Sequence, residues 1–188
     1  HGRNSVCCWL CSVAWRSRVR WGCWESRCRR ECKRGACGEL QVTGYKLNEM
    51  EMKKIEPKEI DKNVIRLIGE DWMLVAAGNR EKFNMMTASW GSMGYLWNKP
   101  VVMVFVRPQR YTFEFSEKQN GFTLSFFDEE YRKALNVCGT VSGREVDKVK
   151  ESGLTPYFTE AGNPAFEEAV LVLECKKLYG DFLKEEAF

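Results

Sequence analysis

Histidine is almost missing from this chain: the only one, His1, stands at its very start. That excludes a good deal. A Ser-His-Asp or Cys-His nucleophilic machine has no imidazole base in the body, and no histidine-ligated zinc site can form there. Cysteine is nearly absent from the body as well. Cys7, Cys8, Cys11, Cys23, Cys28, Cys32 and Cys37 are seven of the nine, and only Cys138 and Cys175 lie further on. Two distant thiols build no disulfide scaffold, so the body reads as a reduced, cytoplasmic domain. No apolar run approaches the roughly 20 residues of a bilayer-crossing helix, which speaks against a membrane partner. No G-x-S-x-G, P-loop or G-x-G-x-x-G spacing occurs.

Charge is also unevenly spread. The formal net charge is +3. Residues 1–37 alone carry +7 from eight Arg, one Lys and two Glu, which leaves −4 for everything after them. A basic surface for nucleic acid is therefore not a property of the body.

Residues 1–49 carry no helical or strand period. Tryptophans at 9, 15, 21 and 24 alternate irregularly with arginines at 16, 18, 20, 27, 29 and 30. Such a Cys/Arg/Trp-rich stretch reads as a non-native or disordered extension, with the native start at Met50 or Met52 and the folded domain spanning 50–188. A competing reading of the same arm is a metal- or nucleic-acid-binding module. Cys8-x-x-Cys11 has a ligand spacing, but the later cysteines follow no paired-knuckle pattern. Arginine and tryptophan side by side could stack bases.

From Met52 the texture changes. Apolar residues between Pro57 and Ile68 suit a short amphipathic helix. Strands are expected at Asp71–Ala77, Phe83–Ala88, Val101–Val106, Phe122–Phe127 and from Ala169 towards Tyr179. Helices are expected at Thr112–Lys118 with Thr112 as N-cap, at Glu129–Val137 capped by Asp128, and at Arg144–Glu151 ended by Gly153. Gly139–Gly143 reads as a loop. Mixed alternation in the strands favours a small antiparallel barrel decorated with helices: mainly β with short helices, α+β in class.

The chemistry concentrates between Asn84 and Thr112. Thr87, Ala88, Ser89 and Trp90 form a small-residue turn that offers close backbone approach and two hydroxyls. Arg107, Arg110, Tyr111 and Thr112 end the next strand, where guanidinium forks and a helix N-terminus suit a phosphate. Aromatic and methionine residues between them suit a flat ring. An ordinary turn and a solvated strand end account for the same residues. Ser125 and Phe126 are candidates for the ring pocket, with plain core as the alternative for Phe126. Cys138 reads either as a buried small hydrophobe or as a ring contact. Ser142, Gly143 and Lys148 read either as phosphate or nicotinamide contacts or as a solvated helix start.

Taken in order, IGEDWMLVAAG at Ile68–Gly78, MTASWG at Met86–Gly91, WNKP at Trp97–Pro100 and FVRPQRYTFEF at Phe105–Phe115 carry a likeness. FTLSFFDEEYRKALNVCG at Phe122–Gly139, SGREVDKVKESGLTP at Ser142–Pro156 and LECKKLYG at Leu173–Gly180 continue it. From about Met52 to Asp181 the chain resembles the flavin reductase-like, FMN-binding split-barrel family, in its flavoredoxin-type branch. The resemblance implies a split β-barrel, a homodimer, and one FMN per subunit as cofactor, with NAD(P)H as co-substrate. It also implies hydride or electron transfer to a redox partner or small-molecule acceptor, or electron carriage without direct use of NAD(P)H. The cofactor contacts it points to are Thr87, Ala88, Ser89, Trp90, Arg107, Arg110, Tyr111, Thr112, Ser125, Cys138, Ser142, Gly143 and Lys148. No side chain is expected to act as acid, base or metal ligand, because the chemistry sits on the flavin. Family members run on beyond the point matching Phe188, so a terminal strand is expected to be lacking and a barrel edge left open.

Overall fold

A computed structural model describes residues 6–18 and 52–183. The described strands are β1 (Cys7–Arg18), β2 (Met52–Ile55), β3 (Met73–Gly78), β4 (Phe83–Ala88), β5 (Gly91–Leu96), β6 (Lys99–Val106), β7 (Gly121–Phe126), β8 (Pro156–Phe158), β9 (Pro164–Phe166) and β10 (Leu171–Phe182). Four helices stand between them: α1 (Val64–Gly69), α2 (Tyr111–Lys118), α3 (Arg132–Thr140) and α4 (Lys148–Ser152). The main sheet is antiparallel and runs β4-β3-β7-β10-β1-β6-β5, with β2 paired to β1; β8 and β9 form a small separate hairpin.

This path is the wall of a split barrel. Its two ends, β4 and β5, are consecutive in the chain and joined only by Ser89-Trp90, so the wall turns back on itself at a seam where neither edge pairs with the other. One apolar cluster fills the interior, with Trp9, Val75, Met86, Val104, Phe122 and Leu173 among its members. A second lies on the outer face beneath α3 and the β8–β9 hairpin, built on Leu74, Ala76, Met85, Leu135, Phe166 and Val172. Strand β3 feeds both: Met73, Val75 and Ala77 point inward, Leu74 and Ala76 outward. That is why MLVAAG reads as a solid apolar run, since a strand covered on both faces has no polar side to alternate with.

Several expectations are corrected. Cys7–Arg18 is not outside the body: it is a strand between β10 and β6, with Cys7, Trp9 and Cys11 buried. Its alternate residues face an apolar interior and its backbone completes two ladders, which outweighs the lack of a long period. It also covers one edge of β10, whose other edge pairs with β7. Cys23, Cys28, Cys32, Cys37, the arginine-tryptophan stretch beyond Arg18 and the proposed start at Met50 lie outside the described residues. Among the described residues no group of three or more His, Cys, Asp or Glu is arranged to hold a metal.

Gly91–Leu96 is an additional strand, joined to β6 by the two-residue turn Trp97-Asn98, where φ is 49° and 56°. Positive φ at both central residues is the hairpin geometry that matches strand twist; without glycine at either position the signal was hidden. The first helix divides into a 3-10 turn at Pro57–Glu59 and α1, whose Asn63 side chain caps the Arg66 amide. Likewise Glu129–Tyr131 is a 3-10 turn leading into α3, which takes in Gly139 and Thr140 and leaves 141–143 of the expected loop. Helix α4 begins at Lys148, with the Asp147 carboxylate accepting from the amides of Val149 and Lys150, and ends on Gly153 at φ 70°. Among the described residues no helix is long and apolar enough to cross a membrane.

Candidate functional site

The barrel seam positions the site. Strand β4 leaves the wall at Ala88, and Ser89-Trp90 carries the chain into β5 with a free strand edge on each side. Thr87, Ala88, Ser89 and Trp90 line a cleft of about 150 Å³ there, closed by Met86, Phe105, Arg107 and Arg110. Trp90 is 57% exposed and forms the outer lip. The Thr87 hydroxyl donates to the Leu135 carbonyl at 2.5 Å, pinning β4 to α3. Arg110 Nη2 donates to the Gly139 carbonyl at 2.7 Å, which fixes the guanidinium across the mouth.

A second cleft of about 90 Å³ adjoins the first. Arg110, Tyr111 and Thr112 line one side, and Thr140–Gly143 with Lys148 the other. Arg110 and Met86 border both clefts. Arg110 and Thr112 are therefore on the same face as Thr87 and Ser89, with open space between them. Helix α2 starts here: Arg110 is the N-cap residue, its carbonyl accepts from the Phe113 amide at 3.0 Å, and the Tyr111 and Thr112 amides before it have no intrahelical acceptor. Thr112 was expected to cap. It sits inside the first turn instead, fully buried, and its hydroxyl accepts from Asn84 Nδ2 at 2.9 Å.

Lys148 forms the floor. It is only 6% exposed, and Nζ donates to the Met85 carbonyl at 2.9 Å and the Cys138 carbonyl at 2.8 Å. No carboxylate pairs with it among the described residues. Burial pushes its ammonium down from the usual 10.5 to about 8; the Cys138 thiol works against this and the Arg110 charge adds to it. Burial likewise lowers Arg110, helped by the charge of Arg107. Cations held with too little water and no counter-ion favour an incoming anion.

Two predicted residues are elsewhere. Ser125 lies near the end of β7 opposite Leu74 and Val172, fully buried beneath the outer apolar cluster, with its hydroxyl unpartnered. Cys138 is fully buried on α3, and burial raises its thiol. Neither borders either cleft. The strand alternation that sends Leu74 outward sends Ser125 with it, and the helical phase of α3 turns Cys138 into the core. Phe126 is interior core.

Some neighbours were not foreseen. Asn84 holds Thr112 and packs so closely on Gly143 that a Cβ there would lie 2.1 Å from Asn84 Oδ1. Its signal was a lone amide sharing the Met86-Ala88 face of β4. Arg144 donates to the Gln109 carbonyl at 3.3 Å, pairs with Glu114 and stands 4.6 Å over the Tyr111 ring, tying the loop after α3 to the start of α2.

A family model described as "Flavin reductase like domain" matches residues 65–179. Among solved structures, the FMN-binding domain of a flavin reductases-like enzyme from Shewanella baltica OS155 is 15% identical with a TM-score of 0.51, over 66% of this chain and 75% of its own. Flavoredoxin of Desulfovibrio vulgaris (Miyazaki F) is 22% identical with a TM-score of 0.48, over 61% and 70%. An FMN-binding protein from Thermus thermophilus with bound p-hydroxybenzaldehyde is 21% identical with a TM-score of 0.48, over 62% and 72%. No curated protein matches the chain.

Proposed function

Because this chain belongs to the flavin reductase-like domain family, we propose that its paired clefts bind FMN and that it moves hydride or electrons between NAD(P)H, the flavin and an acceptor. The observation that carries this reading is Arg110, which borders both an apolar, hydroxyl-edged cleft and a cationic one. A flavin mononucleotide has that division of chemistry: a flat, weakly polar ring joined by a polyol to a dianionic phosphate.

The donor set fits the group. Met86, Ala88, Phe105 and Trp90 give the apolar wall, while the Ser89 hydroxyl and the free backbone edges at the seam offer hydrogen bonds to a ring rim. Lys148, Arg110, the Ser142 hydroxyl and the first amides of α2 would hold the phosphate. Arg107 and Arg110 place positive charge beside the ring cleft, where it would favour a ring that gains negative charge. Bound FMN would supply the redox step itself, accepting hydride or electrons and passing them on. The protein residues bind, orient and shield; the Thr87–Leu135 and Arg110–Gly139 hydrogen bonds keep the two walls at fixed separation.

Pairing of two copies belongs to the same proposal. Trp90 just before β5, Tyr95, Leu96 and Trp97 at the far end of the β5–β6 hairpin, and Ile65 on α1 are large, apolar and exposed. A second copy over this patch would cover it and roof the ring cleft. Cytoplasmic residence is part of the proposal too, in keeping with the free thiols at Cys138 and Cys175.

The test is reconstitution with FMN followed by anaerobic mixing with NADH or NADPH. Tight 1:1 flavin binding and bleaching by a nicotinamide support the reductase reading. Binding without bleaching assigns the electron-carrier role instead. A protein that takes up no FMN refutes both.

A further inference from the structure

Between α3 and α4 runs a loop, 141–147, that forms no helix or strand. It folds on itself at Ser142. The Arg144 amide donates to the Ser142 hydroxyl at 3.2 Å, and the Glu145 and Val146 amides donate to the Ser142 carbonyl at 3.0 and 3.1 Å. Val141, Ser142 and Gly143 belong to one wall of the phosphate cleft, and Gln109–Thr112 form the other.

Arg144 joins the two walls. Its Nη1 donates to the Gln109 carbonyl at 3.3 Å, its Nη2 pairs with Glu114 in the first turn of α2, and its guanidinium stands 4.6 Å over the Tyr111 ring. Tyr111 is braced in turn by Phe115, edge-on with 5.0 Å between ring centroids. These ties differ in kind from the floor of the cleft. Lys148 is buried there, whereas the Arg144 and Glu114 side chains are about half exposed. Arg144 lines neither seam cleft, so it holds the walls together from outside them. A half-exposed ion pair and a cation over a ring are weak contacts, and exposed side chains make and break them quickly.

Resting on the FMN reading, we propose that Arg144 is a positioning residue: it straps the 141–147 loop to the start of α2 and sets how fast the phosphate end of the flavin enters and leaves. The strap acts on access, not on affinity. Its bonds run from wall to wall and are the same with the cleft empty or filled, and contacts equal in two states shift no equilibrium between them. They oppose separation of the walls, so they slow entry and release alike. Whether the flavin stays through many turnovers, or leaves after each as a carried substrate, then depends on a contact outside both clefts.

Stopped-flow mixing of the flavin-free full chain with FMN, and in parallel with riboflavin, tests this through flavin fluorescence. The slope of observed rate against flavin concentration gives entry, and the intercept gives release. In Arg144→Gln both FMN rates should rise by about fivefold or more, with Kd unchanged within about twofold. Arg144→Lys, which keeps a cation near Tyr111, should bring the rates part of the way back. Riboflavin has no phosphate to pass the strap, and its rates should not change. A higher Kd with slower entry would make Arg144 a direct phosphate ligand and overturns the proposal, as do unchanged FMN rates or equal effects on riboflavin. Glu114→Gln removes the ion pair but leaves the guanidinium, and gives the same readout if the Arg144 variants do not fold. Should the wild-type chain bind no FMN, the FMN reading fails. The strap is then tested alone by hydrogen exchange: the hydrogen-bonded amides of Val141, Glu145 and Val146 should exchange faster in Arg144→Gln, and unchanged exchange overturns it.

Discussion

Replacing Lys148 with methionine separates the two demands placed on that residue. In the free protein the ammonium is desolvated, and its displacement from 10.5 to about 8 corresponds to about 3 kcal/mol of preference for the neutral form. Methionine removes that penalty but strands the Met85 and Cys138 carbonyls, at about 1–3 kcal/mol each. The two effects oppose each other, so the variant should remain within about 3 kcal/mol of wild type at pH 7. FMN binding should suffer far more. One charge-assisted contact to phosphate is worth about 1.5–3 kcal/mol, so Kd should rise about 10- to 100-fold. The pH dependence gives a sharper signature. Free Lys148 releases its proton near pH 8, whereas the unfolded chain keeps it to 10.5. Between those values the unfolded chain binds more protons, so this residue's contribution makes the fold more stable as pH rises from 8 to 10.5. The buried thiols act in the opposite sense above 9.0, with Cys7 and Cys11 raised to about 11 and about 12 and Cys138 and Cys175 raised as well. The difference between wild type and Lys148→Met, measured by urea unfolding at each pH, isolates the lysine. A bound phosphate would hold the lysine proton, so wild-type FMN affinity should decline above pH 8 and the variant's should not. A flat wild-type profile from pH 7 to 9.5, or an unchanged Kd in the variant, refutes the role given to Lys148.

Three further outcomes are expected. Gly143→Ala drives a methyl into Asn84 Oδ1 and should lower stability by about 1–3 kcal/mol in thermal denaturation; in the Asn84→Ala/Gly143→Ala double variant the methyl should add no further loss, and strict additivity would refute the clash. Trp97, 70% exposed at φ 49°, should give a more stable monomer by up to about 1 kcal/mol when replaced by asparagine, which tolerates that conformation. The same change should weaken self-association in sedimentation equilibrium, and unaltered association would remove Trp97 from the proposed interface. Trp9→Ala should cost about 3–5 kcal/mol in urea unfolding, because the ring is fully buried between Phe113 and Phe122; a neutral result would exclude β1 from the fold.

Legibility in the sequence followed how local each cause was. Strand β4 was readable to the residue because its apolar run is bounded by turn residues on both sides. The start of α2 was readable only to within a residue or two, because the cap there is Arg110, without a side-chain cap bond, while the obvious candidate Thr112 is recruited by Asn84, 28 residues earlier. The cluster Thr87–Trp90 with Arg107–Thr112 was visible as a group since one hairpin brings both ends together. Ser125 and Cys138 were misplaced because their orientation depends on which face of β7 and α3 the barrel covers, which local pattern does not state. β1 was missed for a different reason. Its pairing partners are β10 and β6, far along the chain, and a strand sealed on both edges needs only an inward row such as Cys7, Trp9 and Cys11 to be held.

The scarcity of histidine acquires a physical meaning in the finished site. Among the described residues no imidazole and no carboxylate borders either of the two clefts at the seam; their polar lining is guanidinium, ammonium, hydroxyl, the Gln109 amide and backbone. Such a lining has nothing that serves as a general base near neutral pH except Lys148, and that amine is tied to two carbonyls. What it does well is hold negative charge in place. On the proposed FMN reading, the bound flavin brings the electron acceptor and places its charge where Arg107 and Arg110 already point. The split in the barrel makes this possible. Closing β4 against β5 would satisfy the free backbone edges of the seam and fill the very gap into which those cations face.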